Sequence, residues 1–175
     1  MKKNEFLINS FSNIQDLIKF FEQKANILLV IYGIVFTSFV TLTNSLRWVG
    51  ITDEMTIIQN LKAICLFLLS VSIGVLLVVQ LYILIFNVIK PNKARHYKNG
   101  SKSLFYYSHI AEMEKEDFLK EVLKKNEAEY DKEVAEQVYE VSKIAEKKES
   151  YYSLLAIMLF YTFIFMMTML LLKHL

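Results

Sequence analysis

Apolar and charged residues fall into separate blocks along this chain. Residues 25–46, 63–89 and 150–172 contain no Asp, Glu, Lys or Arg, and each block exceeds the roughly 18–20 residues with which a helix crosses the hydrocarbon of a bilayer. The second is the strongest, with 19 Leu, Ile, Val or Phe that outweigh Gln80 and Asn87. The first carries Thr37, Ser38, Thr41 and Thr43 in its second half, hydroxyls that a helix satisfies on its own carbonyls. Its length and the missing small-residue cleavage site argue against a signal peptide. These blocks predict three transmembrane helices.

The polar stretches are patterned as well. Leu7, Phe11, Ile14, Ile18, Phe21 and Ala25 recur at alternating spacings of four and three, so residues 1–24 predict an amphipathic helix leading into the first span. Its apolar face can pack on other helices, lie in the membrane interface or form a self-assembly seam. In residues 90–149, Tyr130, Val134, Val138, Val141 and Ala145 form another helical stripe, and nothing breaks the pattern before Ser150. One helix should therefore run from about Tyr130 through the third span to Leu172. Glu116 with Lys120 and Glu121 with Lys125 stand at the i,i+4 spacing of a solvated helical face.

Composition narrows the class. Four glycines and one proline disfavour turn-rich β architecture and phosphate-cradling loops. The expected fold is an all-α membrane protein, three transmembrane helices with an N-terminal amphipathic helix and a helical segment between spans 2 and 3. The single Cys65 excludes an intrachain disulfide and reads as a buried, inert thiol. A net charge of +2 lacks the dense basic face of a nucleic-acid binder.

Charge near the span ends sets the orientation. Ten Lys or Arg flank the spans on the side of residues 10–24, 90–104 and 135–149, against three on the other, Arg47, Lys62 and Lys173. The positive-inside rule puts the N-terminal helix and residues 90–149 in the cytoplasm. The loop 47–62 and the tail 173–175 then face outward.

Chemistry is sparse. His96, His109 and His174 lie apart, no metal-binding or phosphate-binding motif is present, and the carboxylates after Glu112 are interleaved with lysines as on a solvated face. The expectation is a non-enzyme without metal or cofactor. Uncharged spans also argue against an ion-coupled transporter. Ser70 and Gly74 form a small-xxx-small pair that permits close helix approach, within one chain or between copies. Lys90, Lys93, Arg95, Lys98 and Lys102, with Tyr97, Phe105, Tyr106 and Tyr107, form the one patch suited to an anion. Such a patch fits lipid headgroups or a phosphate with a stacked base.

Four strings carry a family resemblance: EQKANILLVIYG (22–33), KP (90–91), SLFYYSHIAEMEKEDFLKEV (103–122) and DKEVAEQVYEVSKIAEKKESYYSLL (131–155). In order and spacing the chain resembles the Pycsar effectors of bacterial cyclic-nucleotide immunity, with Glu22 where that family favours Asp. The resemblance implies an anti-phage effector in the bacterial inner membrane. Its signal would be cyclic CMP, cyclic UMP or a similar nucleotide made by a partner cyclase, and its response damage to the membrane. It further implies a homo-oligomer, and it makes Lys24, Lys93, Arg95, Lys98, Tyr106 and Tyr107 the candidate nucleotide contacts. The alternatives are an effector held silent by its nucleotide and a membrane scaffold that binds none.

Overall fold

The computed structural model describes residues 3–46, 56–90 and 104–174. Five α-helices and one π-helical turn make up the described chain, without a strand. They are α1 (Lys3–Asn44), α2 (Ile57–Ile83) with the π-helical turn Leu84–Ile89 at its end, α3 (Tyr107–Ala111), α4 (Lys115–Lys124) and α5 (Glu127–His174). Three of the helices are long and apolar enough to cross a membrane, as the uncharged blocks require. Two compact units divide the chain: a membrane unit of Glu22–Lys90 and Ser150–Leu175, and a charged unit of Met1–Phe21 and Pro91–Glu149.

In the membrane unit the core comes from all three spans. Ala25, Leu28, Tyr32, Val35 and Leu46 from the first segment pack with Ile73, Leu77, Leu84 and Val88 of the second and with Leu155 and Met169 of α5. The α1 contribution continues the four-three spacing read in residues 7–25, with Phe39 and Leu42 packed against this core. The outer surface is just as apolar: Ile27, Val30, Ile34, Val75, Val78, Phe160 and Leu171 are all exposed. An apolar exterior of that extent is suited to lipid and not to water.

Helix α2 starts earlier than its uncharged block. Thr56 caps it, accepting from the Gln59 amide at 3.4 Å while Gln59 Oε1 accepts from the Thr56 amide at 3.1 Å. Its far end is fixed by Pro91, whose ring would collide with the carbonyl four residues back. Lys90 accordingly turns to an extended ψ of 133°. Its amide still bonds Ile85 O at 2.9 Å, closing the wide π turn.

Cys65 is exposed on the apolar outer surface of α2, beside the exposed Ile64 and Leu68, and is not buried as expected. An apolar run reveals that a residue is hidden from water but not whether protein or lipid hides it.

In the charged unit, Leu7, Phe11, Ile14 and Ile18 of α1 are half-buried and Phe21 is buried. Helix α4 places Glu116 and Asp117 in its first turn and Lys124 in its last, matching the helix dipole. Lys120 pairs with Asp117 at 3.8 Å and not with Glu116. Helix α5 opens on a reciprocal cap: Asn126 Oδ1 accepts from the Glu129 amide at 2.9 Å, and Glu129 Oε2 from the Asn126 amide at 3.1 Å.

Candidate functional site

The charged unit is organised around Glu133. This buried carboxylate on α5 accepts from the Leu104 backbone amide at 2.5 Å and from the Lys125 ammonium, which stands just past the end of α4. One side chain thus ties the segment before α3, the exit of α4 and the first turns of α5 together. Lys125 therefore does not pair with Glu121, because α4 ends at Lys124 and the two no longer share a helical face. Phe105 adds an edge-to-face ring contact to Tyr130 at 5.0 Å.

Farther along α5, Gln137, Glu140 and Lys148 are also buried, Lys148 with 1% of its surface exposed. The expected stripe is present, with Val134 and Ala145 buried and Val138, Val141 and Ile144 half-buried. Tyr130 is more than a third exposed. The expectation of a purely solvated set of carboxylates fails for Glu133 and Glu140. Lys143 and Glu146 do form a solvated pair, 2.8 Å apart, and its hydrogen bond holds the Glu146 carboxyl below and the Lys143 ammonium above their ordinary ranges.

A period of seven then carries α5 forward. Val134, Lys148, Leu155, Thr162 and Met169 are all buried and Val141 is half-buried, which is the register of a helix seam packed by 3.5-residue turns. In the membrane unit that seam meets two polar partners. The Tyr32 hydroxyl donates to Leu155 O at 3.2 Å. Gln80 Nε2 donates to Thr162 Oγ1 at 2.7 Å and to Met158 O at 3.4 Å, while the Thr162 hydroxyl donates to Met158 O at 2.9 Å. Gln80 Oε1 is buried without a hydrogen-bond partner. Interhelical polar contacts of this kind contribute only about 0.6 kcal/mol each in membranes. They mark register more than they add stability.

The far ends of the spans are tied by cations. Lys173 Nζ donates to Ser45 Oγ at 2.8 Å and Lys62 Nζ to Lys173 O at 3.4 Å. Gly74 faces α1, where an added Cβ would meet the Phe39 ring at 3.8 Å, an ordinary contact, and Ser70 is half-buried.

Of the six candidate nucleotide contacts, Lys93, Arg95 and Lys98 lie outside the described residues, as does the side chain of Tyr107. Lys24 belongs to the membrane unit, its ammonium 5.7 Å from the centre of the Tyr152 ring. Tyr106 belongs to the charged unit and stands edge-to-face with His109 at 5.0 Å. Among the described residues no group of three or more His, Cys, Asp and Glu is set to hold a metal ion.

The family model of the Pycsar effector protein domain matches the chain over residues 6–173, which takes in all three apolar helices and the charged segment before the third. The chain belongs to the Pycsar effector family. No curated protein and no solved structure matches it. As a Pycsar effector it is a membrane protein and an effector of an anti-phage system that signals by cyclic nucleotide. In this Pycsar effector the sequence candidates omitted Glu133, Gln137, Glu140 and Lys148. Their signal was present as polar residues at helical spacing, Glu133, Gln137 and Glu140 beside the seam and Lys148 on it, seven residues before Leu155.

Proposed function

We propose that this Pycsar effector binds a cyclic nucleotide on the cytoplasmic side and answers by loosening the packing of its membrane unit, so that the inner membrane loses integrity and growth stops. The observation that carries the reading is α5. A single helix from Glu127 to His174 bears both the buried polar line around Glu133 and the seam that packs the membrane core. A nucleotide that shifts the first part of that helix does work on the second without an intervening joint.

The nucleotide would be a cyclic CMP-like or cyclic UMP-like molecule supplied by a partner cyclase. Lys93, Arg95 and Lys98 supply the charge for its phosphate, and Tyr106 and Tyr107 supply ring faces for its base. Topology follows the flanking charges: N-terminus and charged unit in the cytoplasm, C-terminal end outside. Because apolar side chains fill most of the core of the membrane unit, a breach in the bilayer is best served by several copies acting together.

The test is titration of the full-length protein in nanodiscs with a panel of cyclic mono- and dinucleotides. One class should bind, and Arg95→Ala should weaken that binding about tenfold, the value of one charged hydrogen bond. Absence of binding across the panel would contradict the reading.

A further inference from the structure

Apart from Tyr32, Gln80 and Thr162 are the polar residues of the membrane unit that are buried as whole side chains among the described residues, and they meet each other; Asn60 Oδ1, sealed too, lies in the first turn of α2, far along the helix from Gln80. Thr162 is fully served, accepting from Gln80 and donating to Met158 O. Gln80 is not, because its Oε1 is sealed from solvent and has no partner. A buried acceptor left unmade is costly, so any movement that lets one water reach it is favoured at that point. Elsewhere along the same interface the buried side chains of α2 are Ile73, Leu77, Leu84 and Val88, and those of α5 are Leu155 and Met169, none of which rewards hydration. A second observation falls on the same turn. The Leu84 amide is shared between Gln80 O and Leu81 O where α2 widens into its π-helical turn, a winding change frequent at functional sites.

We infer that the Gln80–Thr162 contact is the place where the membrane unit takes up water when it responds to its signal. Helix α5 parts from α2 there, and Gln80 Oε1 and the Thr162 hydroxyl become the first polar lining of a water-filled breach. The inference rests on the proposed loss of membrane integrity and specifies where that loss begins.

The test uses full-length protein in potassium-loaded liposomes, with Cys65→Ala removing the native thiol. Single cysteines replace Met158 and Met166, one turn to either side of Thr162 and half-buried, or the exposed Phe163 as a control facing away. Cyclic CMP, cyclic UMP and the rest of the nucleotide panel serve as the signal, with potassium efflux and reaction with a membrane-impermeant thiosulfonate read in parallel. In the signalled state Met158→Cys and Met166→Cys should react about tenfold faster than without signal, and Phe163→Cys at an unchanged rate. Gln80→Leu, which fits an apolar core, should fold and should lower efflux. Efflux with both seam cysteines still protected, or undiminished efflux from Gln80→Leu, overturns the inference and leaves the proposed function standing. No efflux with any nucleotide overturns that function and the inference with it.

Discussion

Replacing Ser150 with proline should leave nucleotide binding intact and abolish the membrane response. Ser150 is exposed and lies in the middle of α5, at the first residue of that helix to belong to the membrane unit. Its side chain makes little packing, so the substitution acts through the backbone. Proline removes the hydrogen bond to the carbonyl of Glu146 and pushes against that carbonyl, costing about 3 kcal/mol and kinking the helix. Ser150→Ala keeps the backbone and favours the helix, and it should behave as the parent protein. Nucleotide titration and liposome efflux on both variants separate the two steps. Efflux from Ser150→Pro equal to that of Ser150→Ala would show that the response does not travel along α5.

Glu133→Ala should cause the largest loss of stability in the charged unit. The carboxylate is buried, and its removal leaves the Leu104 amide and the Lys125 ammonium without their acceptor. Breaking such a pair by deleting one partner costs about 3 to 5 kcal/mol when it is fully buried. Lys125 keeps 23% of its side chain in solvent, which moderates the loss to about 2 to 3 kcal/mol. For a chain of this size that lowers Tm by about 5 to 10 °C. Glu133→Gln retains one acceptor and should recover part of the difference. Thermal unfolding of the full-length protein in detergent checks both, and an unchanged Tm in Glu133→Ala would show that Glu133 does not organise this unit.

Much of the fold was legible because its main determinants are one-dimensional. A charge-free block of sufficient length is a span wherever it packs. The absence of Gly or Pro between Tyr130 and Leu172 left α5 no place to end. Local signals were readable at both helix starts that differ from expectation, the Thr56–Gln59 and Asn126–Glu129 caps, but a charge at Lys62 and the apolar stripe beginning at Tyr130 drew the boundaries inward.

What escaped the sequence depended on partners remote along the chain. Glu133 looks solvated until the Leu104 amide, 29 residues away, turns out to be its donor. Gln80 and Thr162 read as two mild polar residues, and only the packing of spans 82 residues apart makes them a pair. Cys65 failed for a related reason: period and hydropathy cannot distinguish a lipid-facing from a core-facing position when both are apolar. The Lys24 candidate came from the family resemblance and Tyr106 from the basic and aromatic patch that the resemblance favoured, and the structure gives each a ring contact within its own unit.

The central claim is that a bound nucleotide changes the membrane, and a diffusion potential across proteoliposomes tests it most directly. Liposomes holding the full-length protein and a potassium gradient, read with a potential-sensitive dye, should keep their potential alone and lose it when the bound cyclic nucleotide is added. A potential that persists while the nucleotide is demonstrably bound would contradict the account.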